Sequence, residues 1–322
     1  MRRTVFLTAL MMAGGVSLTV ASYQARQQQP APIPSIERIK DNLYIIKGAD
    51  PNEPATMTGG NTAVFVTDHG VVVVDTKIRG YGRGMLDQIK TVTDKPVTTI
   101  INTHTHSDHS GSNIEFPVTV EIIAHENTKA NMSKATCQPV VNCQSFKGDN
   151  ARFLPKKTFK DRMSLLSGKD RIDLYYFGRG HTSGDTWVVF PAVRVVHTGD
   201  MFQRKCMPFI DVENAGGSAL EFATTLEKAA TSITNVDTVI PGHYNSLFSW
   251  NDFREYTDFY REFVAKVREG KRMGKSADEV ASSYRPTDRY RTYELDPHFQ
   301  LGNFDNRWVR TNVRAIYEEL RD

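Results

Sequence analysis

The chain has 322 residues, of which 39% are hydrophobic and 24% charged, values typical of a globular protein with a sizeable buried core. This composition excludes a disordered chain, a collagen-like repeat and a protein with many membrane spans. The 40 basic and 37 acidic residues nearly balance, which argues against a protein that holds nucleic acid through bulk charge.

The first 22 residues have the pattern of a secretory signal peptide. Arg2 and Arg3 form a short basic start, an uncharged apolar stretch follows, and Ala21-Ser22 supplies small residues for cleavage. The stretch is interrupted by Gly and Ser and is shorter than the about 20 apolar residues of a membrane span, so we expect no stable membrane anchor. Residues 23–36 are rich in Gln and Pro and are predicted to form a linker. The sequence therefore predicts a periplasmic or secreted protein.

Residues 37–248 alternate predicted strands and helices, which favours a layered α/β domain. From residue 250 the apolar residues recur at spacings of three and four, so residues 249–322 are predicted to form a helical extension packed on the same domain. The predicted strands are 43–47, 62–67, 71–75, 98–102, 118–124, 173–177, 186–190, 194–198 and 238–240. The predicted helices are 84–91, 126–133, 220–231, a long one from 250, 277–284 and 308–320.

The chain contains three cysteines, and their pairing depends on whether the protein meets an oxidising compartment. Cys137 and Cys143 are six positions apart in a loop-like stretch, and they can form a local disulfide in the oxidising compartment that an exported protein meets. Cys206 would then be the odd thiol. Three unpaired cysteines are the alternative, because spacing does not fix connectivity.

The clearest chemical signal is a cluster of His and Asp after a predicted strand. His104, His106, Asp108 and His109 fall within six residues that follow the apolar run 98–101. Neutral imidazole and carboxylate groups bind borderline and hard divalent cations. Four ligand-type side chains in six positions favour a metal site over a solvated polar loop.

Three further ligand-type residues follow predicted strands and are flanked by Gly: His181, Asp200 and His243. Ligand sites of α/β folds collect at the carboxyl ends of strands. Each of these residues alone would be typical of a structural loop. Together with the first cluster, they predict one shared site.

The motif His104-x-His106-x-Asp108-His109, followed in order by His181, Asp200 and His243, resembles the five-motif pattern of the metallo-β-lactamase-fold hydrolase superfamily. Asp75, after the run 71–74, is similar to the aspartate of that family's first motif. The resemblance covers roughly residues 38–248. It implies a four-layer αβ/βα sandwich, to which this chain adds C-terminal helices, with metal ions at one edge of the sheets.

The resemblance also implies a ligand set, a cofactor and a reaction. It implies two divalent ions, Zn by preference with Mn and Fe as alternatives, and hydrolysis by a hydroxide that bridges the ions. The predicted substrate is a small ester, thioester, lactone or amide. Asp108 is the candidate catalytic residue, orienting the water or relaying its proton. The first ion would be held by His104, His106 and His181, the second by Asp108, His109 and His243, and both by Asp200, with Asp75 behind them orienting the ligand loop.

Other activities on the same fold stay open. Zinc β-lactamases generally carry Cys or Ser where this chain has Asp200, which disfavours β-lactamase activity without excluding it. Asp200 looks instead like the bridging residue of glyoxalase II and related thioesterases, lactonases and phosphodiesterases, although quorum-quenching lactonases have Tyr at the position of Gln203. A mononuclear iron thiol or persulfide oxygenase needs fewer ligands. Non-catalytic binding proteins of this fold usually lose ligands, and none is missing here.

Segment 129–162 bears on which substrate charge the site prefers. It carries eight basic and two acidic residues. If this segment overhangs the site, it favours an anionic substrate. A solvated loop is the alternative interpretation. His197, two residues before Gly199, is interpreted as a buried core histidine in preference to a partner of the ligands.

Overall fold

The computed structural model describes residues 31–48, 56–296 and 307–321. From Ile33 onward, the described residues form one compact unit. The predicted signal peptide and residues 23–30 of the predicted linker lie outside the described residues. Within those ranges, no helix combines the length and the apolar composition needed to cross a bilayer.

The first sheet contains seven strands, β1 Ile36–Lys40, β2 Leu43–Ile46, β3 Thr62–Thr67, β4 Gly70–Val74, β5 Val97–Ile101, β6 Glu121–His125 and β7 Lys157–Phe159, which are neighbours in that order. Strands β1 to β4 pair antiparallel, whereas β4 to β7 pair parallel. Strand β4 is buried along its whole length, as its continuous apolar sequence predicts for a strand covered on both faces. The parallel pairs place the carboxyl ends of β4 and β5 at the same edge.

The second sheet contains β8 Arg162–Leu165, β9 Ile172–Tyr175, β10 Trp187–Phe190, β11 Val195–His197, β12 Thr238–Ile240 and β13 Phe248–Ser249. Its spatial order is β13-β12-β11-β10-β9-β8. Among the described strands of this sheet, β11 and β12 form the one parallel pair. The segments that follow β11 and β12 therefore leave the sheet side by side.

Helices cover the outer faces of both sheets, and the two longest described helices begin at serine caps. Ser218 accepts a hydrogen bond from the backbone N–H of Glu221, and Ser249 forms a capping box with Asp252. The α-helices are α1 Gly82–Lys90, α2 Ser107–Ser110, α3 Glu126–Met132, α4 Val212–Ala215, α5 Ala219–Ser232, α6 Trp250–Arg272, α7 Ala277–Ser283 and α8 Trp308–Glu319.

The buried apolar residues form three clusters that separate four layers. One cluster lies between the sheets, where Phe65 of β3 contacts Phe190 of β10 at 4.9 Å between ring centroids. A second packs Met85 of α1 on the outer face of the first sheet. The third packs α5, α6 and α8 on the outer face of the second sheet and includes Trp187 and Phe253. The predicted four-layer αβ/βα sandwich is therefore confirmed.

Several predicted boundaries differ from the structure for local reasons. The predicted linker ends at residue 36, but β1 begins there, because Ile36 pairs with Ile46 of β2. The strand predicted from residue 118 begins at Glu121, and Val118 is 49% exposed. Strands β7 and β8 were not predicted, since both are short and rich in Lys, Arg and Ser at exposed positions.

The cysteine pairing that the spacing left open is resolved. Cys137 and Cys143 form a disulfide, and Cys206 is buried and free. The loop closed by this disulfide packs on the His-rich segment, because the Thr105 hydroxyl donates to the Val141 carbonyl at 2.7 Å. The disulfide thus stabilises a neighbour of the candidate site.

Candidate metal centre

The seven sequence-predicted ligand residues come together at one edge of the two sheets. Four of them lie on the segment after β5 and in α2, and one each follows β9, β11 and β12. Their side chains are all buried, and ligand-type atoms within each group lie within 4.8 Å of one another. Three overlapping sets meet this limit: His104, His106 and His181, called the first group below; His104, His109 and Asp200; and Asp108, His109 and His243, called the second group below.

The first group, His104, His106 and His181, presents three converging imidazoles. His106 Nδ1 and His181 Nε2 are 3.0 Å apart. The ring of His104 is 4.8 Å from that of His106 and 4.7 Å from that of His181, edge to face in both cases. Three imidazoles in this arrangement match the ligand set of a first cation.

The second group, Asp108, His109 and His243, lies beside the first. His109 Nε2 and His243 Nε2 are 3.2 Å apart, and His243 Nε2 is 3.2 Å from Asp108 Oδ2. The two imidazole rings meet at 90°. This group combines two nitrogen donors with one carboxylate oxygen.

Asp200 lies between the two groups and contacts members of both. Its Oδ2 is 3.6 Å from His181 Nε2 and 3.4 Å from His243 Nε2, and its Oδ1 is 3.3 Å from His109 Nε2. Gln203 donates to Asp200 Oδ2 at 2.5 Å and holds this carboxylate in place. The geometry fits a carboxylate shared by two ions.

Each imidazole of the first group is oriented through its other ring nitrogen. The Thr103 hydroxyl lies 3.0 Å from His104 Nδ1, and the Asp211 carboxylate lies 3.0 Å from His106 Nε2. His181 Nδ1 lies 2.7 Å from the carbonyl oxygen of Phe209. Such partners fix the tautomer and leave the opposite nitrogen directed at the cluster. Hydrogen bonding therefore prepares all three rings to act as ligands.

Asp75 lies directly after β4 and contacts His109 and Thr103. Its Oδ2 is 2.7 Å from His109 Nδ1 and accepts from the Thr103 hydroxyl, and its Oδ1 accepts from the Thr103 backbone N–H. It has a φ of +64°, a left-handed conformation that a short polar side chain tolerates better than most. One buried carboxylate thus ties His109 of the second group, and the Thr103 that precedes His104, to the end of β4.

The charges within the site are unequally distributed. Burial raises the pKa of Asp200, but His243 and His109 outweigh it and hold that pKa well below its usual range. Burial lowers the pKa of His243, but Asp200 and Asp108 raise it above its usual value. Burial, with help from His106, lowers the pKa of His181 to about 4, so this ring is the neutral form that coordinates metals.

Two buried atoms at the centre make no hydrogen bond. Among the described residues, His104 Nε2 is shielded from solvent and has no hydrogen-bond partner, and Asp200 Oδ1 has only its 3.3 Å contact with His109 Nε2. A buried polar atom without a partner is unfavourable by a few kcal/mol, about 1–3 in protein data. A cation bound at this point would satisfy both atoms. The donor set and these unpaired atoms fit divalent metal ions.

Comparison with known proteins decides the family. Residues 55–243, more than half of the chain, match the sequence profile of the metallo-beta-lactamase superfamily. The chain belongs to the metallo-β-lactamase superfamily. The resemblance drawn from the His and Asp motif is therefore confirmed.

Individual relatives within the superfamily are distant. A metallo-beta-lactamase type 2 from Elizabethkingia meningoseptica is 27% identical over 223 residues, which are 67% of this chain and 80% of that protein. The alpha subunit of a 2,4-dinitroanisole O-demethylase from Nocardioides sp. (strain JS1661) is 29% identical over 154 residues, 45% of this chain and 42% of that one. These names do not agree on a reaction.

Solved structures with the same fold include two of different named activity. A metallo-beta-lactamase from Pontibacter korlensis matches with a TM-score of 0.57 and 17% identity, covering 70% of this chain and 98% of that chain. The sec-alkylsulfatase Pisa1 from Pseudomonas sp. matches with a TM-score of 0.62 and 17% identity, covering 89% of this chain and 50% of that chain. At this identity the likeness establishes the architecture alone.

Asp211 contacts the candidate site, but no sequence motif identified it as a site residue. It lies at the start of α4 and is bonded to His106, although 105 positions separate the two residues. Burial raises its pKa, but the hydrogen bond from His106 and the charge of that ring lower it to about 2. The motif Pro208-Phe-Ile-Asp211 was visible in the sequence, but nothing in it pointed to His106.

His197 is buried, as interpreted, and it also organises backbone near the site. Its Nε2 lies 3.0 Å from the Asn61 carbonyl oxygen, and its Nδ1 accepts from the Gly199 backbone N–H. It therefore supports the turn that carries Asp200 through contacts with two backbone groups.

The basic segment 129–162 does not lie over the cluster as one unit. Lys134 donates to the Asn214 carbonyl near Asp211, whereas Lys157 lines a cavity beside His69 in the turn before β4. That turn is at the opposite end of β4 from Asp75. Lys134 therefore lies near the site, whereas Lys157 lies at the far end of β4.

Proposed function

We propose that this protein is an exported, binuclear, metal-dependent hydrolase of a small ester, thioester, lactone or amide. The observation that carries the proposal is the convergence of seven buried His and Asp side chains into two groups that share Asp200. Superfamily membership supports the reaction class. The basic, apolar, small-residue pattern of residues 1–22 and the Cys137–Cys143 disulfide both favour export to an oxidising compartment.

The chain's residues divide the binding of two ions between them. Two bound divalent ions would supply an activated water and stabilise negative charge on the attacked group. Zn²⁺ is the preferred ion because imidazole dominates, with Mn²⁺ and Fe²⁺ as alternatives. His104, His106 and His181 would hold the first ion, Asp108, His109 and His243 the second, and Asp200 both.

The first test is the metal content of the purified protein, measured by elemental analysis beside a hydrolysis panel of β-lactam, lactone, thioester and phosphodiester reporters. We expect about two ions per chain, and one reporter class hydrolysed by the wild-type protein. Chelation removes the ions and should abolish that activity, and added Zn²⁺ should restore it. His106→Ala should lower metal content, whereas His69→Ala, on an exposed turn, serves as the matched control.

Two results would contradict this proposal. One iron per chain without hydrolysis would favour a mononuclear iron oxygenase. A chain that binds no metal at all, and hydrolyses nothing, would favour a non-catalytic binding protein.

β-Lactam hydrolysis is the second candidate activity, because a relative from Elizabethkingia meningoseptica is named a metallo-beta-lactamase. Asp200 argues against it, since zinc β-lactamases generally have Cys or Ser there.

Asp108 is the residue that we propose to orient the water molecule or relay its proton. Burial raises its pKa, but His109 and His243 outweigh burial and keep it ionised. An ionised carboxylate at the cluster accepts a hydrogen bond from a water molecule and orients it for attack. Asp108 is 5% exposed, the largest exposed fraction among the seven candidate ligand residues.

We expect Asp108→Asn to lower kcat by about 10²–10⁴-fold, the usual contribution of a positioned acid or base. The amide keeps an oxygen for coordination but no longer accepts a proton. Hydrolysis rate and metal content are measured on the same sample with Zn²⁺ in excess. Full activity with both ions retained would show that Asp108 is not the acceptor.

A further inference from the structure

Lys77 is a fully buried lysine two residues after Asp75. Its ammonium donates to three backbone carbonyls, those of Ile46, Lys47 and Gly60, each at 2.9 Å. These bonds use all three donors of a lysine side chain. The partners are main-chain oxygens, so Lys77 acts on the path of the backbone.

Such a position is unfavourable for a lysine without a compensating role. Burial lowers the pKa of Lys77 to about 7, although the nearby Asp75 carboxylate opposes that effect. An apolar residue would fill the space without desolvating a charge, but it would leave three buried carbonyls unpaired. The three aligned oxygens therefore explain why a cation is held there.

The three carbonyls belong to the two ends of the connection between β2 and β3. Ile46 and Lys47 lie at the end of β2, and Gly60 lies just before β3. The Gly60 backbone packs against the ligand His109, because a Cβ atom at position 60 would lie 2.2 Å from His109 Cε1. The Gly60 N–H also donates to the Asp108 carbonyl at 2.9 Å. Lys77 therefore fixes the backbone on which Asp108 and His109 rest.

The next residue extends this support to the third member of the second group. The Asn61 backbone N–H donates to the Gly242 carbonyl at 2.7 Å. The Asn61 side-chain amide donates to the carbonyls of Pro241 and Tyr244 at 3.0 and 2.9 Å. These bonds surround His243 on both sides in the sequence.

The first group is held by different contacts. Thr103 and Asp211 orient two of its imidazoles, and neither residue bonds Lys77, Gly60 or Asn61 among the hydrogen bonds of the described residues. A change at Lys77 should therefore act on one group and spare the other.

We propose that Lys77 is a positioning residue that sets the second group, Asp108, His109 and His243, and thereby the affinity for the second of two metal ions. This inference rests on the proposed function, because it requires that the chain bind two ions.

The experiment titrates metal-stripped protein with Zn²⁺ by calorimetry, and with Co²⁺ by absorption, for the wild-type chain, Lys77→Met and Lys77→Gln. We expect Lys77→Met to keep the affinity for the first ion and to lose about 10–100-fold in affinity for the second, as when a residue supporting metal ligands is removed. Lys77→Gln retains an amide donor and should give a smaller loss. Lys47→Met is the matched control, because its ammonium pairs with Glu37 at the surface and its carbonyl is unchanged.

The outcomes separate this inference from the proposed function. A wild-type chain that binds fewer than two ions would contradict the proposed function, and the role of Lys77 would fall with it. Two ions in the wild type, with both affinities unchanged in Lys77→Met, would overturn the role of Lys77 alone. An equal loss at both ions, or failure of both Lys77 variants to fold, would also overturn it, since Lys77 would then support the fold in general.

Discussion

We expect the Asp200→Ala variant to lose more activity than a variant of any residue that supports the ligands from behind. Removing a supporting residue typically lowers activity or metal affinity by about 10–100-fold. Asp200 instead contacts His181 of the first group and both imidazoles of the second, so its loss affects both groups together. It would also remove the carboxylate that raises the pKa of His109 and of His243. The expected result is loss of at least one ion and of measurable hydrolysis.

Metal content and hydrolysis of the responsive reporter measure this effect, and circular dichroism checks the fold. Asp200→Asn tests charge at nearly constant shape, and we expect it to retain more metal than Asp200→Ala. Asp237→Ala is the matched control, because Asp237 is an exposed carboxylate at the opposite end of β12 from His243. An Asp200→Ala protein with two ions and wild-type kcat/KM would refute a shared role for this carboxylate.

Several residues of the candidate site could be placed at one edge from sequence because they follow strands that the apolar pattern also predicts. Asp75 follows β4, His104 follows β5 within three residues, and Asp200 and His243 follow β11 and β12. Strand direction then brings these residues together, since the carboxyl ends of neighbouring parallel strands meet at one edge. Local sequence and global topology agree at these positions.

The supporting residues could not be predicted in this way. Asp211 reaches His106 across 105 positions, and Lys77 acts on Gly60 through a buried ammonium that sequence alone would place at the surface. Neither contact has a periodic pattern, because each depends on how loops from different strands meet. Strands β7 and β8 were missed for a related reason, since pairing with neighbours rather than apolar content defines them.

The second large effect concerns stability and tests whether the C-terminal helices belong to the same folded unit. Helix α8 places Trp308, Val313, Ile316 and Tyr317 in the cluster that also contains Trp187 of the second sheet. Truncating a large buried aliphatic or aromatic residue costs about 2–5 kcal/mol, and a whole domain is stable by only about 5–15 kcal/mol. We therefore expect deletion of residues 307–322 to prevent folding of the entire unit.

Polar contacts of α8 point to the same conclusion. Glu319 accepts hydrogen bonds from the Ser218 hydroxyl and from the Ala219 N–H at the start of α5. The Asn312 amide donates to the Pro208 carbonyl, next to the Phe209 whose carbonyl oxygen lies 2.7 Å from His181 Nδ1. The helix thus supports both an outer layer and the loop beside the first ligand group.

Urea unfolding followed by tryptophan fluorescence and circular dichroism measures this effect. Point variants make it quantitative: Ile316→Ala should lower the free energy of unfolding by about 2–5 kcal/mol, because the side chain is fully buried. Glu318→Ala, two residues on and exposed, should change it by about 0.5 kcal/mol or less. If the deleted chain instead unfolded cooperatively at the wild-type midpoint, α8 would be an appendage, and the sandwich alone would account for the stability of the metal centre.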